Sequence, residues 1–209
     1  MIFNNKRIHE VLCRLPEIVG TPKAAWSLVL FGSLAITGCS GVEATDESLK
    51  WAIVHHDVAK VRAILKKKPE LAKTPEHLWN TAVSHAKGRT EILGLLLDAG
   101  ADPNTKNGAP LGMAVGFKDL EVCRFLLDRG ADPNSKNQNG TTILMDANFL
   151  GDVQIIELLL SRGADVNAVD AGGWTVLDKN DFGRNSEEIA KVLLKYGAKR
   201  NQPNPNERR

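Results

Sequence analysis

Four nearly identical phrases recur along this chain, and a chain that repeats itself must fold the same way each time. They read Leu96-Leu97-Asp98-Ala99-Gly100-Ala101-Asp102-Pro103-Asn104, then Leu126-Leu127-Asp128-Arg129-Gly130-Ala131-Asp132-Pro133-Asn134. The third is Leu159-Leu160-Ser161-Arg162-Gly163-Ala164-Asp165-Val166-Asn167, and the last is Leu193-Leu194-Lys195-Tyr196-Gly197-Ala198-Lys199-Arg200-Asn201. Their glycines stand at 100, 130, 163 and 197, a self-similar period of ~33 residues. That period predicts stacked helical hairpins, each burying its apolar side against its neighbours. Such a stack presents a surface; it does not enclose a reaction.

The parts of one unit are legible between Asn137 and Asn167. Thr142 stands where a helix needs an N-cap. Leu144 and Ala147, then Leu158 and Leu159, fall at helical spacing and give two helices an apolar face. Gly151-Asp152-Val153 turns the chain between them. Gly163 follows the second helix where the backbone must go left-handed. Asp165 to Gly172 then makes a polar finger.

This unit resembles the ankyrin repeat, with its Gly-x-Thr-Pro-Leu-His-x-Ala opening, short helix, turn and Val-Val-x-Leu-Leu helix ending in Gly-Ala-Asp. The resemblance implies an all-α solenoid of about five helix-turn-helix units with β-hairpin fingers. It is strong over residues 76–201 and weak over 46–75, where only a helix pair survives (Leu49, Ala52, Ile53, then Val58, Val61, Ile64, Leu65). End units of such stacks are atypical because one side faces water. One finger is short: Asn104 to Leu111 is 7 positions, whereas Asn134 to Leu144 and Asn167 to Leu177 are each 10. A blunted finger beside full-length ones predicts a notch.

The first residues read differently. Residues 24–36 form an apolar run of 13 after a basic stretch and before small residues. It is shorter than the ~20 residues that span a bilayer but fits the core of a secretory signal. Ile36-Thr37-Gly38-Cys39 follows directly and resembles the bacterial lipobox. That resemblance implies cleavage of residues 1–38, a diacylglycerol thioether on Cys39, a linker over 39–47, and an anchored protein in the periplasm. Ser40 after the cysteine implies the outer membrane. The competing reading is a buried helix that ends in Gly-Cys, within a cytosolic interaction module. The repeat domain spans 48–201, and 202–209, with Pro203 and Pro205, reads as a disordered tail.

Charge and composition narrow the function. The chain carries +2 overall, and residues 1–38 account for all of it, so the repeats are electrically balanced. Nucleic-acid binding needs clustered basic charge; the body is neutral, and its basic runs, Lys66-Lys67-Lys68 and the Arg208-Arg209 tail, read as solvated ends. Cys13, Cys39 and Cys123 form no CxxC pair, and no His or Cys stands at a zinc spacing, so neither metal nor cofactor is expected. Cys123 sits among core positions and reads as a small buried hydrophobe. His55 and His56 are adjacent and point to different sides of a helix, with Asp57 making a polar turn. No nucleophile elbow or phosphate loop occurs. Asp102, Asp132 and Asp165 recur with the period and are explained by the unit. The chain reads as non-catalytic.

In ankyrin-repeat proteins partners bind the inner surface made by the fingers and first helices, and the resemblance implies the same here. The variable positions on that surface are Gln138, Asn139, Thr141, Ala171 and Trp174 on the fingers, with Phe117, Asn148, Phe149, Lys179 and Asp181 on the first helices. Trp174 stands between Gly173 and Thr175 as an exposed aromatic anchor, a type whose truncation costs ~2 kcal/mol or more of binding. The alternative is that Trp174, Phe117 and Phe149 pack between units, while Trp79 reads as core or cap. Among bacterial proteins of this build the chain resembles immunity lipoproteins that neutralise type VI secreted phospholipase effectors. A second resemblance is to periplasmic ankyrin scaffolds that support oxidative-stress enzymes such as catalase.

Overall fold

The computed structural model describes residues 44–73, 79, 82–83, 89–180 and 186–201. The expected signal segment, Cys39, Asp181 and the tail from 202 lie outside the described residues. The helices are α1 (Asp46–Val54), α2 (Val58–Lys67), α3 (Arg89–Asp98), α4 (Thr105–Gly116) and α5 (Leu120–Asp128). They continue as α6 (Ile143–Leu150), α7 (Val153–Ser161), α8 (Val176–Lys179) and α9 (Ser186–Lys195). A 3-10 turn, Pro69–Lys73, follows α2. The first helix begins at Asp46, two residues inside the stretch expected as linker, because Thr45 and Ser48 form a capping box.

Helix starts and ends follow the repeated phrases. Thr142 accepts from the Met145 N–H, and Thr175 from that of Asp178. The second helices open on aspartates: Asp57, Asp119 and Asp152 accept from Lys60, Val122 and Ile155 N–H groups. Asp57 is thus a cap, as the polar turn implied. At the other end each Leu-Leu-x-x-Gly-Ala phrase closes the same way. Ala101, Ala131, Ala164 and Ala198 donate back to the carbonyls of Leu96, Leu126, Leu159 and Leu193 at 3.0 Å. The glycine between adopts φ of +82 to +93°, which only glycine enters without steric cost.

The helices pack in two rows. α2, α3, α5, α7 and α9 lie side by side in one, and α4, α6 and α8 in the other, with α1 on α2, α4 on α5 and α6 on α7. One apolar core runs between the rows, from Leu49 and Ile53 through Leu96, Leu126 and Ile156 to Leu193. Trp79 and Cys123 are buried in it. Burial pushes the Cys123 thiol up to about 12, with Asp119 and Asp152 adding to the shift. Full burial of each large side chain is worth ~1.5–3 kcal/mol, so the stack is held chiefly by this seam.

The fingers carry the second kind of contact. Asp102, Asp132 and Asp165 each accept from the N–H two residues on, at 2.9 Å, which folds the finger base. The asparagines that end the phrases reach forward. Asn104 donates to the Gly130 carbonyl and accepts from Asp132 N–H, Asn134 does so with Gly163 and Asp165, and Asn167 with Gly197 and Lys199. These bonds span 2.6–3.1 Å.

Among the described residues the fingers contain no strand, only one antiparallel bridge, Lys136 to Thr142. Gly140 closes the turn onto Asn137, and Thr142 must cap α6, so there is room for one bridging pair. The short finger is built differently again. Lys106, Asn107 and Gly108 all take left-handed φ, of 45 to 78°, at the start of α4. A Cβ on Gly108 would lie 2.5 Å from Ser135, so this unit meets the next finger with no space to spare.

Candidate functional site

The two full fingers and the first helices behind them enclose an open groove of about 670 Å³. Its lining combines α6 (Met145, Asp146, Asn148 and Phe149) with Thr141 on one finger, Asp170, Gly172 and Trp174 on the next, and Lys179 on α8. Two fingers meet at its edge. Ala171 N–H donates to the Asn139 carbonyl at 3.1 Å, and the Lys136 ammonium donates to the Val169 carbonyl at 3.2 Å.

Asp170 organises the second finger. Its Oδ1 accepts from Gly172 and Trp174 N–H groups, each at 2.9 Å, and its Oδ2 pairs with Lys179 Nζ at 2.6 Å. Burial works against its ionisation, but Lys179 and the Trp174 and Gly172 amides outweigh this and hold the carboxyl below its ordinary range. Asp146 behaves oppositely. Burial raises its carboxyl above the ordinary value, and Lys179 only partly opposes that.

Five of the sequence-predicted residues, Thr141, Asn148, Phe149, Trp174 and Lys179, come together here. Trp174 is 37% exposed, with its indole laid over Gly172, where a Cβ would stand 2.8 Å from the ring. Phe149 is 71% exposed. Phe117 is also exposed but ends α4, outside the groove. Gln138, Asn139 and Ala171 are exposed on the fingers without lining the groove. Asn148 departs from its expected surface position: it is 1% exposed, and both its amide nitrogen and its carbonyl oxygen are buried without a hydrogen-bond partner. Sequence reasoning passed over Met145, Asp146 and Asp170. Asp170 lies within the polar finger, and its pairing with Lys179 reaches across the Thr175 cap.

His55 and His56 form no metal pair. His55 stacks on Trp51 at 4.0 Å and bonds its carbonyl, while His56 takes the left-handed turn before α2. Among the described residues no group of three or more metal-type side chains gathers, and no helix is long and apolar enough to cross a membrane.

Residues 111–204 match the family model for ankyrin repeats, in three copies. No curated protein matches the chain. The matched segment holds the groove, the two full fingers and the last three helix pairs. The match supports the ankyrin-repeat family for this chain, a family whose repeat domains are typically non-catalytic scaffolds that bind other proteins.

Proposed function

We propose that this chain is a non-catalytic binding protein that takes a partner protein on the face made by its fingers and first helices. The observation that carries this reading is the pair of exposed rings, Phe149 and Trp174, at a groove inside matched ankyrin repeats. Exposed aromatics at a pocket are the commonest anchors of binding energy. The same reading takes the chain as five units, the three matched ones preceded by two divergent ones. It also takes the face of the stack that carries these rings as the concave one.

The reading of partner and place is supported by the first residues of the sequence. The Ile36-Thr37-Gly38-Cys39 tetrad supports a lipid anchor on Cys39, facing the periplasm from the outer membrane. Two or more acyl chains anchor stably, at ~0.8 kcal/mol per buried methylene. A binding protein so placed fits an immunity role, neutralising a type VI secreted phospholipase effector by covering its active-site cleft.

The test is co-expression with a phospholipase effector, and a lipase gene beside this one would favour the reading. Trp174→Ala should weaken the complex about tenfold or more with little change in melting temperature. Equal losses of affinity and stability would return Trp174 to the core. Cys39→Ala should move the protein from the membrane fraction and abolish protection. An unchanged fraction and mobility would remove the anchor. A catalase gene beside this one, in place of a lipase gene, would transfer the reading to an oxidative-stress scaffold.

A further inference from the structure

The groove holds more polar machinery than an aromatic anchor site needs. Two carboxylates, Asp146 and Asp170, face one ammonium, Lys179. Asp170 is fully engaged by Lys179 and two backbone amides. Among the described residues nothing donates to the Asp146 carboxylate, which is half-buried in α6. One negative charge is therefore left over in a groove walled by Met145, Phe149 and Trp174. A carboxylate removed from water without a donor is costly, and the raised Asp146 pKa expresses that cost.

Asn148 adds an independent observation. Its carboxamide is buried, lines the groove and has both its donor and its acceptor unused. Buried polar groups are normally hydrogen-bonded, and this one lies just beneath the groove wall without a partner, where a ligand that displaces the wall would satisfy it. A carboxamide presents an N–H and its carbonyl oxygen side by side, which matches the backbone carbonyl and N–H of a single extended residue. Beside it, a cation is needed that can lie flat on aromatic rings while reaching a carboxylate. A guanidinium does this: it is planar, stacks on Trp and Phe, and presents a fork of donors to carboxylate oxygens. A lysine ammonium offers neither the plane nor the fork.

We propose that the groove receives an arginine side chain from a loop of the partner protein, its guanidinium on Asp146 and against the Phe149 and Trp174 rings, and its own backbone N–H and carbonyl on the Asn148 carboxamide. The inference rests on the reading of this face as protein-binding and names the residue it selects.

The experiment uses the full chain and three blocked tripeptides, acetyl-Gly-X-Gly-amide, with X as arginine, citrulline or lysine, followed by NMR. The arginine peptide should shift the Trp174 indole and Asn148 carboxamide signals saturably, with affinity on the order of millimolar for so small a ligand. Citrulline keeps the plane and loses the charge, and it should bind about tenfold more weakly or not at all. Asp146→Asn should cost the arginine peptide about tenfold and leave citrulline unchanged. Lys179→Gln should tighten arginine binding about threefold, by removing the competing cation. A residue of structural importance alone would not yield gains and losses of opposite sign.

Equal response to arginine and citrulline, equal response to arginine and lysine, no response to arginine, or arginine binding unchanged in Asp146→Asn overturns the proposal. The two readings fail separately. If the protein complex depends on Trp174 while Asp146→Asn is silent on peptide and partner alike, the arginine site falls and the binding face stands. If arginine binds as described but no protein complex depends on Trp174, the function proposed above falls alone.

Discussion

The junction between α2 and α3 and the junctions from Asn104 onward are held by different means. At the first, Val61, Ile64 and Leu65 bury their side chains, and one exposed ion pair, Arg62 to Glu91 at 3.4 Å, crosses between the helices. From Asn104 on, a forward-reaching asparagine adds two hydrogen bonds per junction, and arginines pair Arg129 with Asp98 and Arg162 with Asp128 at 3.0 Å. Apolar contact is strong but non-directional. Hydrogen bonds to fixed backbone groups set register. The family match, residues 111–204, takes in the clasps of Asn134 and Asn167, while Asn104 stands just before it.

That contrast can be broken by substitution. Ile64→Ala should cost ~3 kcal/mol, because Ile64 is fully buried and its loss leaves a cavity in the seam between α2 and α3. Urea unfolding followed by hydrogen exchange should show the loss spreading over α1 to α3. A uniform loss across all units would show that the two regions are not separate. Asn134→Ala should cost ~1 kcal/mol, since it removes two hydrogen bonds whose Gly163 carbonyl and Asp165 N–H are exposed and can turn to water instead. A denaturation midpoint unchanged by this substitution would reduce the clasp to a decoration of the apolar seam.

Cys123 probes the clasped region by pH. Its folded thiol titrates at about 12 against 9.0 for the model thiol, so the unfolded chain ionises first. Stability from this group is complete below pH 9 and should fall by ~1.4 kcal/mol per pH unit between 9 and 12. Midpoints measured from pH 8 to 11 should lose that slope in Cys123→Ala. An identical slope in both proteins would place the alkaline sensitivity elsewhere. The smallest effect is expected at Arg62→Ala, ~0.5 kcal/mol or less in low salt, because both side chains of its pair are mostly exposed. A larger cost in a thermal melt would mean that the first junction has a polar lock of its own.

Much of this architecture was legible in the residues. Thr142, the Leu-Leu-x-x-Gly-Ala endings and the buried Cys123 follow from local rules that act within one helix. The forward reach of Asn104, Asn134 and Asn167 was not legible, because its acceptors lie 26 to 30 residues away. The β-hairpin fingers were overestimated, since capping Thr142 competes with strand pairing for the same backbone. At the groove, Trp174 and Phe149 could be named from variation between units. Asn148 was named as an inward-facing surface position, and its side chain is instead buried in α6, which a single helix's pattern does not show. Asp146 escaped notice because its significance depends on what does not reach it.

The asparagine clasps touch only main-chain groups of the next unit: a glycine carbonyl and the N–H of the residue two places on. That receiving residue is Asp132, Asp165 and then Lys199, so its side chain is irrelevant to the fastening. Asn201 differs: its side chain turns back and donates to the Gly173 carbonyl. A seam sewn through the cloth and not through the pattern leaves the pattern free to change. Evolution can add, drop or exchange whole panels, and redraw what they display, without rethreading the neighbours.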